Sequence, residues 1–160
     1  MERITKPLGV TQSMTYDGNG NVLKVKDSND VTIQETEYDF NNKPISVKDA
    51  LGNIEIYTYD GLGNVKTYKT ARGNTYSYDY DGNGNVVKIT DPLEGVVEST
   101  FDDRGNQSTL KDENNNTTEY SYDLLDRLVY ETTADNITDL ILYGYQLISK
   151  RLFCYFHPKR

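Results

Sequence analysis

The sequence contains no tryptophan, one cysteine, one histidine and two methionines in 160 residues. Cys154 has no second cysteine to bridge, and a lone His157 cannot complete a zinc site of the Cys/His kind. No cofactor or metal is expected from such a set. Hydrophobic residues are 36% of the chain, and no run of them approaches the roughly 18 residues that a spanning helix needs. The start, Met1-Glu2-Arg3-Ile4-Thr5-Lys6-Pro7, lacks the apolar stretch of about 7 to 15 residues that marks a secretory signal. No membrane span and no signal peptide are expected in this chain. Positive charge is also scarce, with 17 Lys and Arg against 25 Asp and Glu, a net −8. Nucleic-acid phosphates call for clustered Lys and Arg on a basic face, so a nucleic-acid partner is not expected.

What the chain does have is 14 Tyr and 12 Gly, too aromatic a composition for disorder. The aromatic residues are not scattered. An aromatic followed by Asp recurs at Tyr16-Asp17, Tyr38-Asp39, Tyr59-Asp60, Tyr80-Asp81, Phe101-Asp102 and Tyr122-Asp123, at intervals of 22, 21, 21, 21 and 21 residues. A fixed period of this length marks a repeat array. It divides the chain into a lead-in (1–14), six repeats (15–142) and a degenerate tail (143–160).

Three residues after each repeated Asp stands Gly20, Asn42, Gly63, Gly84, Gly105 or Asp126, all types that tolerate a left-handed backbone. Asp at the first position and Gly at the fourth is a turn signature, the carboxylate accepting backbone amides two residues on. Asp17, Asp39, Asp60, Asp81, Asp102 and Asp123 are therefore read as turn formers, with Gly20, Gly63, Gly84 and Gly105 as their reversal points. A second corner follows at Asp27, Asp49, Thr70, Asp91, Asp112 and Thr133. Its fourth positions are Asp30, Gly52, Gly73, Glu94 with Gly95 beside it, Asn115 and Asn136. Turns about every ten residues leave segments of about six between them, the usual strand length. Leu23 to Lys26, Ile45 to Lys48 and Val87 to Thr90 alternate apolar and polar residues, the period of a strand with one apolar face. The expected fold is all-β, an array of antiparallel hairpins forming an open, curled sheet. Spacing of two places Tyr57 with Tyr59, Tyr76 with Tyr78 and Tyr80, and Tyr120 with Tyr122 on a shared face as an aromatic ladder.

The unit Tyr-Asp-Gly-Asn-Gly-Asn-Val at 16–22, repeated at 59–65 with one substitution and at 80–86, resembles the YD repeat of the Rhs family. That family comprises very large secreted or surface-exposed bacterial proteins whose repeats wind hairpins into a hollow shell around a toxic C-terminal domain. The resemblance implies a segment of such a wall, placed outside the cell or on its surface as part of a longer protein. Its partners would be further YD repeats or other copies joined through the sheet edges, and a cargo toxin domain. Six repeats predict about twelve strands and a sheet about 58 Å wide at roughly 4.8 Å per strand, too narrow to enclose a domain alone. The cleavage region of the family, an Asp-Pro followed by Gly-Leu, is faintly echoed by Asp91 to Gly95, a regular turn position where Pro suits the second residue.

The remaining candidates reduce to the same repeat. The loops at 17–21 and 81–85 alternate oxygen ligands as calcium loops do, but Val22 and Val86 stand where such a loop needs Gly, and no bidentate Glu follows. Carboxylates copied unit by unit into equivalent turns do not make a singular catalytic pocket, so no catalytic residues are expected. Tyr57, Tyr59, Tyr76, Tyr78, Tyr80, Tyr120 and Tyr122 beside Asn and Asp would suit stacking on sugar rings, which gives carbohydrate binding as the alternative function. Sequons at Asn106, Asn115, Asn116 and Asn136 are the ordinary yield of an Asn-rich chain.

Overall fold

The computed structural model describes residues 2–5, 11–133 and 138–140, with side chains described over 11–133. Asn136, Tyr143, Cys154, His157 and the tail at 143–160 lie outside the described residues. All regular structure among the described residues is β-strand, and they contain no helix that is long and apolar enough to cross a membrane.

The chain divides into two units, Met1–Tyr78 and Asp79–Arg160. In the first, the strands are β1 (Glu2–Thr5), β2 (Thr11–Tyr16), β3 (Val22–Lys26), β4 (Thr32–Tyr38), β5 (Pro44–Asp49), β6 (Ile54–Tyr59), β7 (Val65–Lys69) and β8 (Thr75–Tyr80), the last of which runs through the division point. Each pairs antiparallel with the next in sequence. The second holds β9 (Val86–Thr90), β10 (Val96–Phe101), β11 (Gln107–Lys111), β12 (Thr117–Tyr122), β13 (Leu128–Thr132) and β14 (Thr138–Leu140), again paired in chain order. Both are open meanders, and the described pairing extends to β1 in the lead-in and β14 after the sixth repeated Asp.

Eleven turns of one construction join β2 to β13. In each, the first residue's carbonyl accepts the N–H of the fourth, and its own N–H donates to the carbonyl of the fifth, as in Gly20 N to Asp17 O (3.3 Å) and Asp17 N to Asn21 O (2.9 Å). The fourth residue has positive φ every time: Gly20, Gly52, Gly63, Gly73, Gly84 and Gly105 at 85° to 89°, and Asp30, Asn42, Glu94, Asn115 and Asp126 at 59° to 65°. A type I turn followed by one left-handed residue is the hairpin solution that keeps strand twist and places a bulge beside the loop. The bulge appears as register shifts at five of the repeated aromatics, Thr15/Tyr16, Glu37/Tyr38, Thr58/Tyr59, Thr100/Phe101 and Ser121/Tyr122, and once at the second corner, Val25/Lys26.

Among the described residues no hydrophobic side chain is buried, and Thr36 is the one buried polar residue, 5% exposed. Each unit is a single layer of strands. The alternation of β-residues gives it a half-covered apolar face, but nothing described packs on that face to complete a core.

Candidate functional site

The turn carboxylates are fixed by their own loops. Asp60 Oδ1 accepts the N–H groups of Leu62 and Asn64, both at 2.9 Å, while Oδ2 accepts Nδ2 of Asn64 at 3.1 Å. The same triple acceptance recurs at Asp17, Asp49, Asp81, Asp102 and Asp112 with an Asn in the fifth position. At Asp123 that position is Arg127, whose Nε donates to Oδ2 at 2.7 Å. Donors aimed at a carboxylate favour its ionised form. The Asn side chain holds Asp17, Asp49, Asp81 and Asp112 below the ordinary range, the fifth residue's amide does so first at Asp60 and Asp102, and Arg127 brings Asp123 down to about 2. These bonds occupy the oxygens with the turn itself. No group of three or more metal-binding side chains gathers among the described residues.

Turns at the repeated-Asp rim also contact their neighbours one repeat away. Nδ2 of Asn19 and of Asn21 donates to Asn42 Oδ1 at 2.9 and 2.7 Å. In the second unit Arg104 reaches Asp126 at 2.9 Å, and Asn106 donates to the same carboxylate at 2.8 Å. Lys43 extends across Gly63, donates to its carbonyl and sits 5.1 Å from the centroid of the Tyr59 ring. Gly63 is suited to this approach, because a β-carbon there would lie 2.6 Å from the Lys43 Nζ.

The pairing register separates the two faces. In the first unit Met14, Val25, Gln34, Thr36, Val47, Glu55, Tyr57, Tyr68 and Tyr76 share one face by direct opposition or alternation. In the second, Ile89 faces Val97, Leu110 faces Ser99 and Thr118, and Tyr120 faces Glu131. The reverse face carries cross-strand ion pairs: Lys24 and Lys48 flank Glu35 at 2.6 and 3.6 Å, and Lys111 meets Glu98 at 3.2 Å.

The structure draws the tyrosines together unevenly. Tyr57 and Tyr68 stack with centroids 5.0 Å apart, and Tyr68 stacks on Tyr76 at 6.4 Å. Tyr59, Tyr78, Tyr120 and Tyr122 are half-buried without a stacked ring pair of this kind among the described residues, and Tyr80 is half-buried as well. Tyr68 is the member that the sequence does not announce. It stands where other repeats have Val25, Val47, Ile89 or Leu110, and only the register shows that this apolar position lies opposite Tyr57. The hydroxyls are engaged as well. Tyr38 and Tyr59 donate to the Val22 and Pro44 carbonyls at 3.0 and 2.7 Å, each six residues beyond the aromatic of the preceding repeat. Tyr57 and Tyr68 both donate to Glu55, at 3.0 and 2.7 Å. Burial first and this carboxylate second push Tyr57 up to about 12, and burial raises Tyr59, Tyr120 and Tyr122.

A rim of alike turns, a single-layer meander and a one-sided aromatic face define a β-hairpin repeat protein. Residues 38–75 and 59–96 match the sequence profile of the RHS Repeat family. The matched stretch, residues 38–96, consists of RHS repeats, and the turns before and after it have the same bonds. A comparison with curated proteins gives no match. Among solved structures it is similar to a chain of the TcdB2-TccC3 crystal structure (16% identity, 81% of this chain and 10% of that one, TM-score 0.52). The complex TcdB2-TccC3-Cdc42 gives 16% over 85% and 10% with a TM-score of 0.51, and the Tc holotoxin pore of Photorhabdus luminescens gives 16% over 85% and 10% with 0.50. These likenesses are of fold, and the chain spans about a tenth of the length of the structures it matches.

Proposed function

We propose that the chain is a structural segment of the wall of a secreted or surface-exposed Rhs-type protein, where it serves as scaffold or encapsulating layer for a toxin or effector domain. The observation that carries this reading is the absence of any buried hydrophobic side chain among the described residues, beside a face of Met, Val, Ile and Tyr. A one-sided sheet of this kind gains stability only when something covers that face or when further repeats extend it. The fold likeness to chains of a Tc holotoxin supports the same role. Catalysis has no place in it, since the carboxylates are tied into equivalent turns.

Carbohydrate binding is the weaker reading. A sugar platform needs ring faces and free hydroxyls, whereas Tyr38, Tyr57, Tyr59 and Tyr68 donate theirs within the sheet. Size-exclusion chromatography with light scattering, with circular dichroism on the same fractions, tests the proposal. Oligomers, or a chain that gains strand content when further repeats are appended, are expected. A stable, fully folded β monomer would overturn the wall and favour the binding module.

A further inference from the structure

We propose that Glu55, with the rings of Tyr57 and Tyr68, forms a receptor for an arginine side chain presented by the polypeptide that covers the tyrosine face. The inference rests on the wall reading, because it presumes polypeptide on that face, but it specifies chemistry that a merely apolar lining lacks.

Of the charged strand residues with described side chains that share this face of the first unit by opposition or alternation, Asp49 is bound into its own turn and Lys66 stands exposed where the register skips it, which leaves Glu55 among the tyrosines. It stands opposite Val47 and two places before Tyr57, while strand lysines 24, 48 and 69 belong to the reverse face, paired with Glu35 or opposite Ile56. Its two oxygens accept the hydroxyls of Tyr57 and Tyr68, and no described cation forms an ion pair with it. Two neutral donors orient the carboxylate without cancelling its charge, and each oxygen retains a lone pair. Guanidinium suits this arrangement better than ammonium. Its planar fork donates to both oxygens at once, and its flat cation lies on a tyrosine ring.

The chain supplies its own precedent one turn away. Lys43 lies 5.1 Å from the Tyr59 centroid and donates to the Gly63 carbonyl. Tyr59 therefore has an internal cation, and the Tyr57/Tyr68 pair, with a carboxylate in addition, has none. Glu55, Tyr57 and Tyr68 are only half-buried, so all three keep surface within reach of a partner on this face.

The test is titration of the full chain, in its assembled state, with two capped peptides of alternating leucine and arginine or leucine and citrulline, followed by tyrosine fluorescence. The arginine peptide is expected to bind at least tenfold more tightly. Glu55→Gln is expected to abolish that preference, and Glu35→Gln on the reverse face to keep it. Equal binding of the two peptides by the unmodified chain, which needs no variant to fold, overturns the receptor. A preference that survives Glu55→Gln overturns it too. The wall is tested by oligomeric state alone, so a missing arginine preference leaves it standing, whereas a folded monomer that prefers arginine removes the wall and retains the receptor.

Discussion

The repeat that begins at Tyr59 and the one that begins at Tyr122 share a sequence frame and differ in what they have kept. In both, the Asp carboxylate accepts two backbone amides and one side-chain donor, although the donor is Asn64 in one and Arg127 in the other. Leu124 stands where the earlier turn has Gly61, and Leu125 matches Leu62; the two leucines are 94% and 72% exposed, with no change in the bonds of the turn. The faces diverge. At the first of these hairpins Tyr57 stacks on Tyr68, and at the second the residue opposite Tyr120 is Glu131. A turn needs only one acceptor side chain and one left-handed residue, so it tolerates drift elsewhere. A face needs complementary partners on every neighbouring strand, and one substitution removes a contact from each.

The largest expected effect is therefore on the face. Tyr68→Ala removes both ring stacks and the second hydroxyl on Glu55, and about 2–3 kcal/mol of destabilisation is expected for a half-covered ring, below the 3–5 kcal/mol range for a fully buried aromatic. A urea midpoint unchanged at matched protein concentration would mean that the tyrosine face contributes nothing to folding. Gly84→Val comes next, at about 2 kcal/mol, because φ of 86° is a conformation that a β-branched residue adopts only under strain. Here space is not the cause, since nothing lies within 4 Å of a β-carbon built at Gly84. If Gly84→Ala and Gly84→Val were both neutral, the shared turn construction would not be what holds the repeats.

Much of this was legible in the sequence, and the reasons are local. The 21-residue interval, the Asp at position one and the residue tolerant of positive φ at position four are properties of five consecutive residues, so they need no tertiary context. Glu94, rather than the adjacent Gly95, takes φ of 65° because Asp91 fixes the count by accepting the amides of Leu93 and Gly95. Gly95 instead answers a close approach: a β-carbon there would lie 2.8 Å from Glu113 Cδ. The role of Asn in the fifth position was visible as a recurring letter, but its bond to the carboxylate emerges only from side-chain geometry. Tyr68, Glu55 and Glu131 could not be found by period at all, because what sets their roles is cross-strand register, shifted by a bulge at Tyr59 and again at Tyr122.

The opposition of Tyr120 and Glu131 offers a smaller test of the same contrast. Glu131→Tyr should restore a ring pair in the last complete hairpin and stabilise it by about 0.5–1.5 kcal/mol. Tyr120→Leu in the same background should abolish that gain. A gain that survives the second change would come from removing the carboxylate and not from stacking. In the opposite sense to Gly84→Val, Glu94→Gly should stabilise by about 0.5–1 kcal/mol, since it relieves a left-handed Glu.

The smallest effects concern the carboxylates, whose exposure leaves them screened by solvent. Asp123 titrates at about 2 in the folded chain against about 3.9 when unfolded. Over that window the unfolded state binds more protons, so the stabilisation from this group is present above about pH 4 and is lost as pH falls through 2. Arg127→Leu removes the main cause of the shift and the Coulomb attraction with it. The difference in urea midpoint between the parent chain and Arg127→Leu should be widest near pH 6 and should narrow steadily from pH 4 to pH 2. The comparison with Asn64→Leu then separates charge from hydrogen bonding, because Asp60 is held low first by the amide of Asn64 and only then by its side chain. Its acid loss should survive the truncation largely intact. If both variants lost their pH dependence equally, the side chain in the fifth position would set the turn carboxylate in every repeat, and the backbone amides would be secondary.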